Sequence, residues 1–184
     1  DEKSQYEKYL LEGCAKDDAG CQKELFENYF GVLYGICLRY ATDADEAKDI
    51  LQDGFVKIFK SIKKFDQKGS LEGWMKKIMI NNSIDHYRKK SSKPFTDDIS
   101  EAYTLGEDET VNAELHKEEL LALLQELPAG YRMVFNLYVI EGYSHKEIAL
   151  ELNISEGTSK SQLAKARKAL QEKVKILYSD KKEI

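Results

Sequence analysis

Residues 158–175 concentrate side chains that can contact nucleic acid. The segment has six basic residues and one acidic residue, so its local net charge is +5. Ser, Thr and Gln can hydrogen-bond to base edges, while Lys and Arg are attracted to phosphates. At helical spacing Thr158, Ser161, Gln162 and Lys165 share one face, and Lys160 and Arg167 complete the set of candidate contacts. The pattern predicts a helix that lies on duplex DNA; the alternative is an amphipathic helix with a solvated basic face.

A second basic region, residues 54–91, has ten basic residues against three acidic ones. Basic side chains interleaved with aromatic rings suit single-stranded nucleic acid, because backbone charge and base stacking act together. Two amides, Asn81 and Asn82, also interrupt the apolar pattern there. The candidate contacts are Phe65, Lys68, Ser70, Trp74, Lys76, Lys77, Asn81, Arg88 and Lys89. Phe65 and Trp74 are better explained as core residues than as nucleic-acid contacts.

A small acidic patch precedes this region. Asp49, Gln52 and Asp53 lie one turn apart, on the helix face opposite the apolar stripe that runs from Ala47 to Ile62. On the residues alone the pattern favours a plain solvated helix face, with a docking surface for a partner protein as the alternative.

Candidates for catalysis are few. His86 follows Asp85, and Asp43, Asp45 and Glu46 form an acidic cluster. The sequence has no nucleophile motif with Ser or Cys, no Gly-rich phosphate loop and no metal-ligand spacing to support them. We therefore expect no enzymatic activity, no metal site and no cofactor.

The bulk charge of the 184-residue chain is −5, which would ordinarily argue against a DNA-binding protein. The charge is unevenly distributed, however. Residues 92–127 hold ten acidic residues and two basic ones, so an acidic stretch separates the two basic regions. Bulk charge therefore excludes nothing here.

The elements that position these residues read as helices. Apolar residues recur at three- and four-residue spacing through most of the chain, and no alternating strand pattern competes. The fold class is predicted to be all-α, with two small helical domains at residues 1–91 and 112–184. A flexible acidic linker is predicted at residues 92–111, because that stretch has Pro, Gly and no helical apolar period.

Local signals mark several helix starts. Ser70 is a predicted N-cap, and Ser144 with Glu147 has the spacing of a capping box. Residues 153–155 form a predicted three-residue turn, after which Ser155 can cap the basic helix. Two helices so joined predict a helix-turn-helix that places its second helix in the major groove.

Both halves of the chain resemble one protein family. The segments LPAGYRMVF, GYSHKEIA and ISEGTSKSQLAKARKAL resemble region 4 of the extracytoplasmic-function (ECF) sigma factors of bacteria. The segments DADEAKDILQDGFVKIFKSIKKF and WMKKIMINNSIDHYRKK resemble region 2. The resemblance implies a promoter-specificity subunit that binds the β′ and β subunits of core RNA polymerase. It also implies that both domains of this chain bind promoter DNA.

Residue roles follow from the same resemblance. Asp49, Gln52 and Asp53 match the motif that docks on a β′ coiled coil. Asn81 matches an Asn that lines a pocket for a flipped minus-ten base, and the loop with Lys68 and Ser70 matches the base-capturing loop. The helix with Thr158 reads the minus-thirty-five duplex. The family also implies a linker that threads toward the active-site cleft, and an anti-sigma factor as a partner.

Position 159 departs from the family pattern. Many relatives carry a bulky aliphatic residue where this chain has Ser159, so we expect weaker packing under the recognition helix. Gln162 stands where an Arg is frequent, which leaves the minus-thirty-five sequence open.

Two other functions stay open on the residues alone. A helix-turn-helix regulator of another class would bind operator DNA without core polymerase and would need no acidic patch. A helical module that binds no DNA would leave the basic helices without a partner.

The location is predicted to be cytoplasmic. The first ten residues lack the basic start and apolar run of a secretory signal, and no later run approaches the ~18–20 apolar residues of a membrane span. Cys14, Cys21 and Cys37 form no CxxC motif and lie at no zinc-ligand spacing from a His, so we expect reduced thiols and no membrane insertion.

Overall fold

A computed structural model describes residues 2–66, 68–91 and 117–180, and the regular elements in these ranges are all helical. They are α1 (Glu2–Ala15), α2 (Ala19–Tyr40), α3 (Ala44–Ser61), a 3₁₀ turn (Ile62–Lys64), α4 (Leu71–Lys90), α5 (Lys117–Gln125), α6 (Ala129–Phe135), a π-helical turn (Asn136–Ile140), α7 (His145–Leu152) and α8 (Glu156–Asp180). The predicted all-α fold class is confirmed. The predicted linker at residues 92–111 lies outside the described residues.

The chain divides into two compact units, Asp1–His86 and Tyr87–Ile184. The division falls in the last turns of α4. The exact domain boundaries at residues 91 and 112 stay a prediction.

In the first unit, α2 packs against both α1 and α3. The apolar stripe predicted for α3 is buried, with Ala47, Ile50 and Ile58 at most 2% exposed. Asp43 begins this helix, since its side chain accepts a hydrogen bond from the Glu46 N–H at 2.8 Å. Because the apolar stripe of α3 is buried, the opposite face of the helix is exposed to solvent.

Helices α3 and α4 approach closely at Gly54. A Cβ built on Gly54 would overlap the side chain of Met79, which is fully buried. One turn from Met79, the buried Asn82 donates from Nδ2 to the Ile50 carbonyl oxygen at 2.7 Å. A glycine and a buried amide therefore hold the two helices at short range.

The first helix, α1, is an element that the sequence pattern did not predict. Its buried apolar residues, Leu10, Leu11 and Cys14, cluster in its second half. The first half carries no apolar stripe, so the periodicity extends over too few turns to be recognised.

The core of the second unit combines residues from the start of the unit, at α5, and from its last helix, α8. Helices α6 and α8 pack together, and α5 also contacts α8. The buried residues of this core are Leu123, Leu124, Leu127, Ala166, Leu170 and Val174. The basic helix α8 is thus anchored through its apolar face over more than two turns.

Arg132 is buried within this unit, at 3% exposed. Its Nε donates to the Leu124 carbonyl at 2.9 Å, and its Nη2 donates to the carbonyls of Gln125 at 3.0 Å and Leu127 at 2.6 Å. The last carbonyls of a helix have no partner within that helix. Arg132 supplies these partners at the C-terminal end of α5.

Candidate polymerase and nucleic-acid interfaces

The acidic patch lies on the solvent face of α3. Asp49, Gln52 and Asp53 are all exposed, and their spacing places them on one side of the helix. The structure therefore places the three predicted residues together on one exposed side of α3.

Two polar contacts join this face to α4. The Nε2 of His86 lies 2.8 Å from the Oδ2 of Asp53, and the Nζ of Lys57 lies 2.8 Å from the Oδ2 of Asp85. His86 and Asp85, which are adjacent in the sequence, thus pair with α3 rather than with each other. No arrangement of a general base with a nucleophile is formed by these residues.

An aromatic strip runs along α2, and we define it as Phe26, Phe30 and Tyr34. The ring centroids are 5.4 Å apart for Phe26 and Phe30, and 5.3 Å apart for Phe30 and Tyr34. Phe26 also contacts Phe55 of α3, at 4.6 Å. Phe26 and Phe30 are 37% and 38% exposed, which is unusual for Phe.

Sequence reasoning missed this strip because helical aromatic residues are usually core residues. The usable signal was the regular four-residue spacing of three aromatic side chains. The strip gives α2 a partly exposed aromatic surface.

The predicted base-capturing loop precedes α4. Ser70 caps α4, because its Oγ accepts from the Gly73 N–H at 2.8 Å, so that prediction is confirmed. Lys68 and Ser70 are exposed. Phe65 and Trp74 contact each other with ring centroids 5.2 Å apart, and both are half-buried, so each has a packed side and an accessible side.

One side of α4 carries polar and aromatic residues. Trp74, Lys77 and Asn81 follow at spacings of three and four residues, which keeps them on one side of the helix. Lys77 and Asn81 are exposed. We call these three residues the α4 row. Arg88 lies beyond them, in the second unit, where its exposed guanidinium pairs with the Glu151 carboxylate at 3.1 Å.

The other predicted α4 residues lie off that row. Lys76 is half-buried and pairs with Glu72 at 2.6 Å, and Lys89 is exposed in the last turn. Asn82, adjacent to Asn81, is turned into the core, as described above. Of the two amides, only Asn81 is exposed.

The helix-turn-helix of the second unit has the predicted local chemistry. Ser144 and Glu147 form a capping box at the start of α7. Residues 153–155 join α7 to α8, with Asn153 in the left-handed conformation at φ 53°. Ser155 caps α8, because its Oγ accepts from the Thr158 N–H at 2.9 Å. These predictions are confirmed.

The predicted contacts on α8 differ in accessibility. Lys160, Ser161 and Arg167 are exposed, and Lys165 is half-buried. Gln162 is also half-buried, and its Oε1 is buried without a hydrogen-bond partner. The exposed residues form the accessible part of the predicted DNA face.

Thr158 does not lie on an exposed face with these residues. It is only 8% exposed, and its hydroxyl lies 2.8 Å from the Ser155 Oγ. Expecting its side chain on the exposed face was wrong, because the first turn of α8 folds the Thr158 side chain back onto its own cap.

Ser159, where the chain departs from the family pattern, is fully buried, and its Oγ lies 2.9 Å from the Nδ1 of His145 at the start of α7. The His145 ring stacks on Tyr138, with centroids 4.4 Å apart. The position therefore joins α7 to α8 by a hydrogen bond. The weaker packing expected under the recognition helix stays a prediction.

Burial lowers the pKa of His145, and the nearby cations Lys160 and Arg167 lower it further, while Glu156 opposes them. The imidazole is thus held in its neutral form more firmly than a free histidine.

The cysteines are buried. Burial raises the pKa of Cys14 to about 11 and that of Cys37 to about 12, so these thiols are poor nucleophiles. Within residues 2–66, 68–91 and 117–180, no cluster of three or more His, Cys, Asp or Glu has the arrangement of a metal site. In the same ranges no helix is long and apolar enough to span a membrane.

Comparison with known proteins accounts for both units. Residues 25–93 match Sigma-70 region 2, and residues 117–170 match region 4 of Sigma-70. The chain is 30% identical over 175 residues to the ECF RNA polymerase sigma factor SigW of Bacillus subtilis (strain 168), covering 88% of this chain and 93% of the relative. The chain belongs to the ECF family of RNA polymerase sigma factors.

Two further proteins are similar to this chain. The RNA polymerase sigma-H factor of Pseudomonas aeruginosa is 24% identical over 183 residues, covering 93% of this chain and 95% of the relative. Among solved structures, the sigma factor RpoE in complex with the anti-sigma factor NepR from Bartonella quintana is 23% identical, with a TM-score of 0.49. It covers 84% of this chain and 96% of that chain.

Membership of the ECF family decides between the open alternatives. Sigma factors are non-enzymatic initiation factors that act with RNA polymerase, and their region 4 contains a DNA-binding helix-turn-helix. The two alternatives, a regulator that works without polymerase and a helical module that binds no DNA, are therefore set aside.

Proposed function

We propose that this ECF sigma factor docks on core RNA polymerase through the exposed face of α3. Asp49, Gln52 and Asp53 lie side by side there, which is the observation that carries the proposal. The aromatic strip on the neighbouring helix adds apolar area that a partner can bury. Carboxylates beside exposed aromatic rings suit a basic and partly apolar surface, such as a coiled coil of the β′ subunit.

Capture of unpaired minus-ten bases falls to the α4 row and to the loop with Lys68 and Ser70. The row combines an indole, a cation and an exposed amide, which supply stacking, phosphate attraction and a bidentate base contact. Asn81 is the residue we propose to read a flipped base, because its amide points out of the core. The exposed Lys89 adds phosphate attraction at the end of the helix.

Recognition of the minus-thirty-five duplex falls to α8. Lys160, Ser161 and Arg167 are the accessible candidates, with Gln162 and Lys165 partly accessible beside them. Thr158 enters this proposal as a residue that fixes the start of the recognition helix. An anti-sigma factor remains a prediction from family membership.

The docking proposal is tested by binding to purified core polymerase. Asp53→Lys reverses a charge whose side chain is 59% exposed, and Glu12→Lys on α1 reverses one that is 61% exposed, so the second is a matched control. We expect Asp53→Lys to weaken core binding at least about tenfold, because a like charge faces the partner's cations, and Glu12→Lys to bind as wild type. Equal effects of both variants would refute docking through α3.

Base capture is tested by run-off transcription on promoter libraries at saturating core polymerase. Asn81→Ala should lower open-complex formation while core affinity stays unchanged. Asn28→Ala, which removes an exposed amide from α2, is the control. If no promoter in a broad library responds to wild-type protein, promoter recognition by this chain is refuted.

A further inference from the structure

His86 lies outside the docking motif but contacts Asp53, which belongs to it. The His86 side chain is only 20% exposed, whereas that of Asp53 is 59% exposed. The imidazole Nε2–H donates to Oδ2 of the carboxylate at 2.8 Å. A side chain anchored in α4 therefore holds a side chain that faces solvent on α3.

This hydrogen bond has a consequence for docking. An exposed Asp on a helix samples several rotamers, and a partner that binds one of them must immobilise the side chain. The bond to His86 fixes Oδ2 and leaves Oδ1 available to a donor from outside. Asp53 is thus presented in one orientation before any partner arrives.

We propose that His86 is a positioning residue for the core-polymerase interface, acting through the Asp53 carboxylate. This inference rests on the proposed docking through α3. The contact between His86 and Asp53 is not needed merely to link the helices, since a second pair, Lys57 with Asp85, already joins α3 to α4 one turn away.

The experiment measures the dissociation constant of the full-length chain for purified core polymerase. The variants are His86→Ala, His86→Gln, Asp53→Ala and the double variant His86→Ala with Asp53→Ala. Lys57→Ala is the control, because it breaks the neighbouring link between the same helices. Circular dichroism melts show that each variant is folded at the assay temperature.

We expect His86→Ala to weaken binding roughly three- to tenfold, which is the affinity lost when one mobile side chain must be ordered on binding. His86→Gln should bind nearly as wild type, since its amide N–H can reach the same carboxylate oxygen. In the Asp53→Ala background, His86→Ala should have no further effect. Lys57→Ala should not weaken binding.

The outcomes separate the two proposals. If Asp53→Ala weakens binding and His86→Ala does not, docking stands and the positioning role is refuted. If His86→Ala weakens binding equally with and without Asp53, His86 acts only on the fold and the positioning role is again refuted. If neither Asp53 variant affects binding, docking through α3 fails and this inference fails with it.

Discussion

Arg132→Met should weaken the attachment of α5 to the rest of the second unit. In the structure the guanidinium donates to three carbonyls at the end of α5, two of which are in buried hydrogen bonds. The third bond, to Gln125, is only partly buried, so water can replace it. Met preserves much of the buried volume, which limits the change to the lost donors.

The magnitude follows from these contacts. A buried carbonyl left without a donor costs about 1–3 kcal/mol. The Leu124 carbonyl still accepts from the Leu127 N–H at 3.2 Å, so this penalty falls on the Leu127 carbonyl. Removing the buried charge also removes its own desolvation cost, which offsets part of the loss. We therefore expect the free energy of unfolding to fall by about 1–3 kcal/mol, against the ~5–15 kcal/mol that stabilises typical domains.

Two optical signals distinguish the affected unit. The single tryptophan of the chain, Trp74, lies in the first unit, so its fluorescence reports unfolding there. Far-UV circular dichroism reports helices of both units. In urea titrations Arg132→Met should lower the stability of a circular-dichroism transition without moving the fluorescence midpoint.

Arg132→Lys gives an intermediate test. Its ammonium keeps the charge but lacks the planar fork, so it can satisfy fewer of the carbonyls and should lose about half as much stability. Circular-dichroism midpoints for Arg132→Met that coincide with those of wild type would show that the α5 carbonyls need no such partner.

Three further predictions concern packing, pH and charge. Gly13→Ala should destabilise the first unit by about 1–2 kcal/mol, because the added Cβ meets the Cys21 side chain. Gly31→Ala places its Cβ in open space and should stabilise the unit by about 1 kcal/mol. Urea unfolding of the two variants measures both changes. Because the pKa of His145 is lowered in the folded protein, the unfolded chain takes up the proton first as pH falls. The stability of the second unit should therefore fall as pH drops below about 6.5. Thermal melts at stepped pH should show that His145→Gln loses this dependence. The isolated chain should bind promoter duplex weakly and with strong salt dependence, because the acidic residues 92–127 compete for the basic faces; tight binding that is unchanged between about 50 and 200 mM salt in fluorescence anisotropy would contradict this.

The parts of the fold that the sequence could predict are those set by local chemistry. Ser70, Ser144 and Ser155 were predicted as caps, and each accepts the expected backbone N–H. A cap depends on one side chain and a backbone amide a few residues away, so its geometry is encoded within a single turn. The three-residue turn before α8 was predictable for the same reason.

Interactions between distant turns were not predictable. Arg132 reads as a surface residue, because a charged side chain in a helix is usually solvated. Its role depends on the end of α5, seven residues earlier, lying within reach of its side chain. The aromatic strip was missed on similar grounds, since helical spacing cannot show how many apolar residues the neighbouring helix will cover.

Neighbouring polar residues mark the limit of sequence reasoning on the site itself. Asn81 and Asn82 differ by one position, yet one is exposed and the other is 1% exposed and bound to a backbone carbonyl of α3. One residue rotates a side chain by about 100° around a helix, so a face is assigned only when the helical phase is known. In α4 the apolar pattern is interrupted by both amides and does not define that phase. The same step separates the exposed Lys160 from the buried Ser159 in α8, where the hydroxyl serves the joint with α7. Polar residues in a recognition helix therefore divide into those that contact a ligand and those that orient the helix, and only the packing tells them apart.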